Sequence, residues 1–220
     1  MKKNPEGRIY DMLSCIEDNE ARLSGVVVSE PELSHEVHSE KFYKFFICSK
    51  RLSSNEDTLI VTIPYSLLEK TQVEKGDFVI VEGQFRSYNN YSGIGNKLVL
   101  TLFARNIEKA EEDILPFNEV YLNGYVCKDI VLRVTPFGRE IADILLAVNR
   151  AYNKSDYIPC IAWGKNARRL KDVKVGCNLK IKGRMQSRDY EKKISETQSE
   201  IKTAYEISIS NVEIESPSVD

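Results

Sequence analysis

Hydrophobic and polar residues alternate in short runs along this chain, and runs of period two are typical of β-strands with one buried face. The runs are rich in β-branched and aromatic residues, which supports the same prediction. Each half of the chain contains five of them, with a short helical stretch between the third and the fourth. The predicted strands cover 23–28, 42–49, 59–63, 78–86, 97–106, 120–127, 140–148, 157–163, 178–188 and 205–214, and the helices cover 66–73 and 166–172.

The two halves share one frame of residues. Asn19 and Gly25 match Asn118 and Gly124 at a distance of 99 residues, and later glycines match at a distance of 100, so one insertion separates the copies. A period this long indicates two tandem domains and not a solenoid repeat. We call 19–108 the first copy and 118–215 the second copy. A helical segment is also predicted over 1–18, a linker over 109–117 and a short tail over 216–220.

Five short strands with one helix between the third and the fourth is the layout of the OB-fold, a five-stranded Greek-key barrel that binds oligonucleotides across one face. The sequence therefore predicts an all-β protein with short helices, made of two tandem OB-fold barrels.

Charge is divided unevenly between the copies. The whole chain has a formal net charge of −2, which does not by itself suggest a nucleic-acid binder. Residues 19–108 contain 10 basic and 12 acidic side chains, whereas 118–188 contain 14 and 6. Only the second copy carries the excess of positive charge that holds phosphates.

Two features of the second copy predict binding of single strands. Alternation places Tyr157 and Trp163 on one face of one strand, and the next strand presents a basic stripe opposite an apolar edge. Rings that stack on bases beside cations that contact phosphates suit sequence-tolerant binding. A tryptophan in the core and a solvated lysine face remain the simpler alternatives. The stripe comprises Lys180, Lys182, Arg184, Gln186 and Arg188.

The second copy also contains LLAVNR, DYIPCIAWGK, VGCNLKIKGRMQSRDYE and YEISISNVE, in this order. With these motifs it resembles the bacterial single-stranded DNA-binding protein family over nearly its whole length. The resemblance implies four base-stacking positions, at Tyr152, Tyr157, Trp163 and Tyr190. It also implies phosphate contacts from Arg150, Lys165, Lys182, Arg184 and Arg188. The corresponding stacking positions of the first copy hold Ser53, Thr58, Pro64 and Tyr91, so three of the four rings are lost there.

The expected function is non-catalytic binding of single-stranded DNA with little sequence preference, mainly through the second copy, in replication, recombination or repair. The alternatives are an OB-fold scaffold module of a replication complex and a single-stranded RNA binder. No nucleophile with a base and no carboxylate cluster supports an enzyme. The resemblance implies assembly of four OB-folds, so a homodimer is expected, with Phe78 and Ile80 pointing outward at the contact.

No cofactor or metal is expected, because His35 and His38 lack a third ligand and the five cysteines are scattered. No apolar run suits a membrane span or a secretion signal, so a cytoplasmic protein is expected. Replication and repair proteins are further candidate partners. The acidic tip through which the family recruits them is missing from the terminal ESPSVD, and its internal counterpart, 111–117, is interpreted as a linker anchored by Phe117.

Overall fold

The computed structural model describes residues 18–51, 53, 55–89, 98–111, 116–150, 154–193, 195 and 199–215. The helix predicted before Asp18, the tail 216–220, Tyr91 and Tyr152 lie outside these residues. The first copy contains β1 (Asn19–Val27), β2 (Glu32–Val37), β3 (Glu40–Lys50), β4 (Glu56–Pro64), α1 (Tyr65–Thr71), β5 (Phe78–Asn89) and β6 (Leu98–Lys109). The second contains β7 (Asn118–Val126), β8 (Val131–Val134), β9 (Glu140–Arg150), β10 (Lys154–Trp163), α2 (Lys165–Arg169), β11 (Asn178–Lys193) and β12 (Ser199–Glu215).

The strands of each copy close into a ring. In the first copy β1 pairs with β3 and β5, β3 with β4, β4 with β6, and β6 with β5. The second copy repeats the order with β7, β9, β10, β12 and β11. In both copies the third and fifth strands of the ring, counted along the sequence, pair parallel: β4 with β6, and β10 with β12. The helix lies between the third and the fourth of these strands in the sequence. This is the OB-fold, so the predicted fold class is confirmed.

Two features of the strands differ from the prediction. Each copy has a sixth strand, β2 or β8, which pairs as an edge hairpin with β3 or β9. Sequence pattern missed both because nearly all of their side chains are exposed, so neither has a buried face to create alternation. The stretch 190–202 lies between the predicted strands 178–188 and 205–214, but it is largely an extension of the β11–β12 ladder, which pairs as far as Lys193 and Ser199.

The matched glycines of the two copies lie where strands approach closely. A Cβ atom on Gly25 would lie 2.3 Å from the carbonyl oxygen of Cys48, and one on Gly124 would lie 2.6 Å from that of Ala147. Such distances leave no room for a side chain. The closure of β1 against β3, and of β7 against β9, therefore requires glycine at this point of each copy.

The two barrels are joined side by side. Strands β1 and β7 pair antiparallel from Asn19 opposite Leu122 to Leu23 opposite Asn118, which makes the hydrogen-bonded order of strands continuous through both copies. The linker is fixed to this region, because the N–H of Ser24 donates to the Phe117 carbonyl at 2.9 Å and the Phe117 N–H donates to Ser24 Oγ at 2.8 Å. Both backbone groups of Phe117 are thus bonded to β1.

The expected exposure of Ile80 is wrong, since it is only 7% exposed within one chain. Ile80 lies directly opposite Ser24 in the sheet, and Ser24 is the residue to which the linker binds. Phe117, at the end of the linker, therefore lies next to the residue that faces Ile80 across the sheet. Phe78 remains partly exposed. Neither helix in the described part of the chain reaches the length of a membrane span.

Candidate nucleic-acid interface

Two aromatic rings lie on the outward face of β10. Tyr157 is 49% exposed and Trp163 is 37% exposed, whereas the alternate residues from Ile158 to Ala162 are buried in the barrel core. The alternation that the sequence predicts thus separates rings from core on this strand. Six residues at about 3.3 Å each place the two ring positions about 20 Å apart along the strand.

The surface around Trp163 extends across the neighbouring strands. Ile141 on β9 is opposite Trp163, and Arg133 on β8 is opposite Ile141. Ile141 is almost wholly covered, and the Arg133 guanidinium forms an ion pair with Asp143 at 2.5 Å. Sequence reasoning did not select Arg133, because β8 itself was not predicted.

Tyr190 occupies the outer part of β11. Its side chain is 36% exposed, and the Arg188 guanidinium carbon lies 5.9 Å from the centre of its ring. The Arg188 Nε also lies 3.7 Å from a carboxylate oxygen of Glu206. Arg188 and Tyr190 are therefore held together on β11, whereas Tyr152 lies outside the described residues.

The basic stripe of β11 is largely engaged within the chain. Lys180 pairs with Glu215, whose hydrogen bond and charge raise the pKa of the lysine. The Lys182 ammonium lies 5.1 Å from the centre of the Tyr121 ring. The Arg184 guanidinium donates to Asp57 of the first copy at 2.9 Å, and burial lowers the pKa of this arginine. These three side chains thus contact partners within the chain, whereas a side chain that is free to bind phosphate would be exposed to solvent.

A different basic segment follows Trp163 directly. Three exposed cations lie here: Lys165 at the start of α2, Arg169 at its end and Lys171 just after it. None of the three forms an ion pair with a residue that the structure describes. The signal for Arg169 and Lys171 was present in the sequence. Residues 165–174 contain five basic side chains and one acidic one, whereas 66–75 of the first copy contain two of each.

The remaining predicted cation, Arg150, lies at the end of β9 and contacts Asp156 at 3.4 Å. In the first copy, Thr58 and Pro64 of β4 occupy the positions of Tyr157 and Trp163, so that surface lacks both rings. His35, considered as a metal ligand, stacks on Phe42 with ring centres 4.9 Å apart, and its Nδ1 lies 3.0 Å from Ser34 Oγ. In the described part of the chain no three His, Cys, Asp or Glu side chains converge as a metal site would require.

Residues 117–214 match the model of the Single-strand binding protein family. The match covers 98 of the 220 residues, and it places this segment, the second copy, in the single-strand binding protein family. The family is one of binding proteins and not of enzymes, as predicted. The chain is similar to the single-stranded DNA-binding protein of Bacillus cereus, with 40% identity over 81 residues that cover 34% of this chain and 48% of that protein. It is also similar to single-stranded DNA-binding protein A of Bacillus subtilis, with 37% identity over 81 residues, 34% of this chain and 47% of that one. The chain thus spans about half the length of these curated relatives.

The fold as a whole has a counterpart among solved structures. The wild-type single-stranded DNA binding protein from Thermus aquaticus superposes with a TM-score of 0.70 and 18% identity, over 92% of this chain and 95% of that chain. A deletion mutant of the same protein gives a TM-score of 0.71 and 20% identity over 92% and 98% of the two chains. At this identity the similarity establishes the fold, and it extends over both copies.

Proposed function

We propose that this protein binds single-stranded DNA with little sequence preference, through the outward face of the second copy. The observation that carries the proposal is the pair of partly exposed rings, Tyr157 and Trp163, on one face of β10. A flat ring accepts any base by stacking, so two rings on one strand favour sequence-tolerant contact with unpaired nucleotides. The family model matches the second copy, and the names of the Bacillus relatives point to the same ligand.

The phosphate contacts in this proposal come mainly from the segment after Trp163. Lys165, Arg169 and Lys171 are exposed cations next to a stacking ring, whereas Lys180 and Lys182 would first have to leave their partners. Three contacts at about −0.7 each give a slope of log K against log[salt] of about −2 on single strands. Contacts from Arg188 would make this slope steeper.

A fluorescence titration with oligo-dT tests the proposal directly. Trp163 is the only tryptophan of the chain, so stacking of a base on it should quench the intrinsic emission. Parallel titrations with oligo-U and with a duplex of equal length compare RNA and double-stranded DNA as ligands. Tighter binding to the duplex, or binding of oligo-dT without any change in Trp163 emission, would contradict the proposed site.

In the cell, such binding would protect single strands during replication, recombination or repair.

We also propose that two chains associate, so that four OB-folds act together. The partly exposed Phe78 supports a contact through β5, although Ile80 is already covered within the chain. Sedimentation at micromolar concentration should return a dimer, and Phe78→Glu should weaken it. A monomeric wild type would exclude this assembly while leaving the DNA-binding proposal intact.

A further inference from the structure

The strand that carries Tyr157 has an open backbone edge that the first copy covers. Strand β10 pairs with β9 along its length, but with β12 only from Cys160 to Ala162. Tyr157 lies before that short pairing, so among the residues that the structure describes no strand of its own barrel pairs with its outer edge. Instead, the Tyr157 N–H donates to Ser87 Oγ of β5 at 2.7 Å.

The neighbouring residue, Asp156, completes the contact between the copies. Its carboxylate is 1% exposed and accepts the Ser87 N–H at 2.8 Å. The Arg86 guanidinium of the first copy lies 3.2 Å from the same carboxylate, and Arg150 of the second copy lies 3.4 Å from it. A buried carboxylate is stable only where hydrogen bonds and opposite charge replace water, and here both copies supply them. We call Ser87, Arg86 and Asp156 the Tyr157 clamp.

A mirrored contact exists at the equivalent position of the first copy. Asp57, whose side chain is also 1% exposed, accepts bonds from Arg51, from Arg184 at 2.9 Å and from the Ser187 N–H at 2.8 Å. The Thr58 N–H donates to Ser187 Oγ at 3.0 Å. The two contacts follow the sequence repeat, since Asp57 and Thr58 correspond to Asp156 and Tyr157. They differ in one respect that concerns binding: only one of them holds a residue with a ring.

We propose that Ser87, with Arg86, is a positioning residue for base stacking, through which the first copy fixes the Tyr157 ring of the second without touching DNA itself. This inference rests on the proposed function. The bond from the Tyr157 N–H to Ser87 Oγ holds the backbone of the residue from which the ring projects, and Tyr157 itself is 49% exposed. Stacking requires a ring that is already oriented, because ordering it on binding would reduce affinity.

The test compares Ser87→Ala with its mirrored control Ser187→Ala in the full-length chain, each in the wild-type and the Tyr157→Ala background. The dissociation constant for labelled oligo-dT is the readout. We expect Ser87→Ala to weaken binding about three- to tenfold, the range for loss of one hydrogen bond. Ser187→Ala should change affinity by less than about twofold, since the strand it holds presents no ring. In the Tyr157→Ala background, Ser87→Ala should have no further effect.

Hydrogen exchange gives a second readout that does not depend on DNA. Ser87→Ala should speed exchange of the Tyr157 amide, and Ser187→Ala that of the Thr58 amide. Equal loss of affinity in both serine variants, or a Ser87→Ala loss that persists without the Tyr157 ring, would overturn the positioning role. So would unchanged affinity of Ser87→Ala when Tyr157→Ala itself binds weakly. Failure of the proposed function is recognised separately, because Tyr157→Ala would then bind oligo-dT as tightly as the wild type.

Discussion

Removal of both rings from β10 is the strongest perturbation of the proposed interface. Stacking of a base on an aromatic side chain contributes about 1–3 kcal/mol. Tyr157 and Trp163 lie about 20 Å apart along the strand, beyond the distance of about 7–10 Å within which mutational effects usually couple. The double variant Tyr157→Ala, Trp163→Ala should therefore lose about 2–6 kcal/mol of binding free energy, a rise in the dissociation constant of about 30-fold to about 10⁴-fold.

The chain offers a matched control in the first copy. Thr58 and Pro64 occupy the corresponding positions of β4 and carry no ring, so Thr58→Ala, Pro64→Ala should alter affinity by less than about threefold. Both double variants are measured by anisotropy of a fluorescein-labelled oligo-dT, because the first one lacks the only tryptophan. A thermal melt accompanies each, since truncation of Trp163 alters the outer surface beside the buried Ile141.

Two results would refute the reasoning. A loss below about 1 kcal/mol in the β10 double variant would mean that neither ring stacks on a base. An equal loss in the β4 double variant would mean that the two copies serve DNA alike, and the functional asymmetry derived from rings and charges would be wrong.

Three further predictions concern charge and burial. Asp57→Ala should lower the free energy of unfolding by about 3–5 kcal/mol in urea, because it leaves arginines of both copies without their buried partner; a loss below 1 kcal/mol would contradict the importance of this contact. Arg169→Ala, Lys171→Ala should reduce the magnitude of the salt slope by about 1.4, whereas replacing the paired lysines of β11 should change it little; the reverse result would return the phosphate site to β11. Burial raises the pKa of the Cys160 thiol, and burial together with the hydrogen bond to Glu56 raises the pKa of the Cys48 thiol to about 11. Both thiols therefore remain protonated at pH 8, and iodoacetamide should label them far more slowly in the native than in the unfolded chain. Mass spectrometry of the labelled peptides would measure this difference.

The strands and the outward position of two rings could be predicted because alternation records which face of a strand is buried. Leu179, Ile181 and Met185 are buried as predicted, and the side chains between them point away from the core. The same reasoning could not assign partners to those outward side chains. Arg184 and Asp57 are 127 residues apart in the chain, and the packing of the two barrels against each other brings them together. A basic stripe in a sequence therefore predicts a face, not whether its charges are free.

Strand alternation also explains how one copy could lose its rings while the contact between copies was kept. Asp57 and Thr58 are consecutive, as are Asp156 and Tyr157, so in each pair one side chain turns toward the other copy and the next turns outward. The inward aspartates occur in both copies because each is bonded by the partner copy's serine and arginine. The outward residues carry no such constraint, and only the second copy has a ring there. Substitution at Tyr157 should thus weaken binding and substitution at Thr58 should hardly change it, both with little effect on the association of the barrels. Substitutions at Asp57 and Asp156 should change stability first and affinity as a consequence.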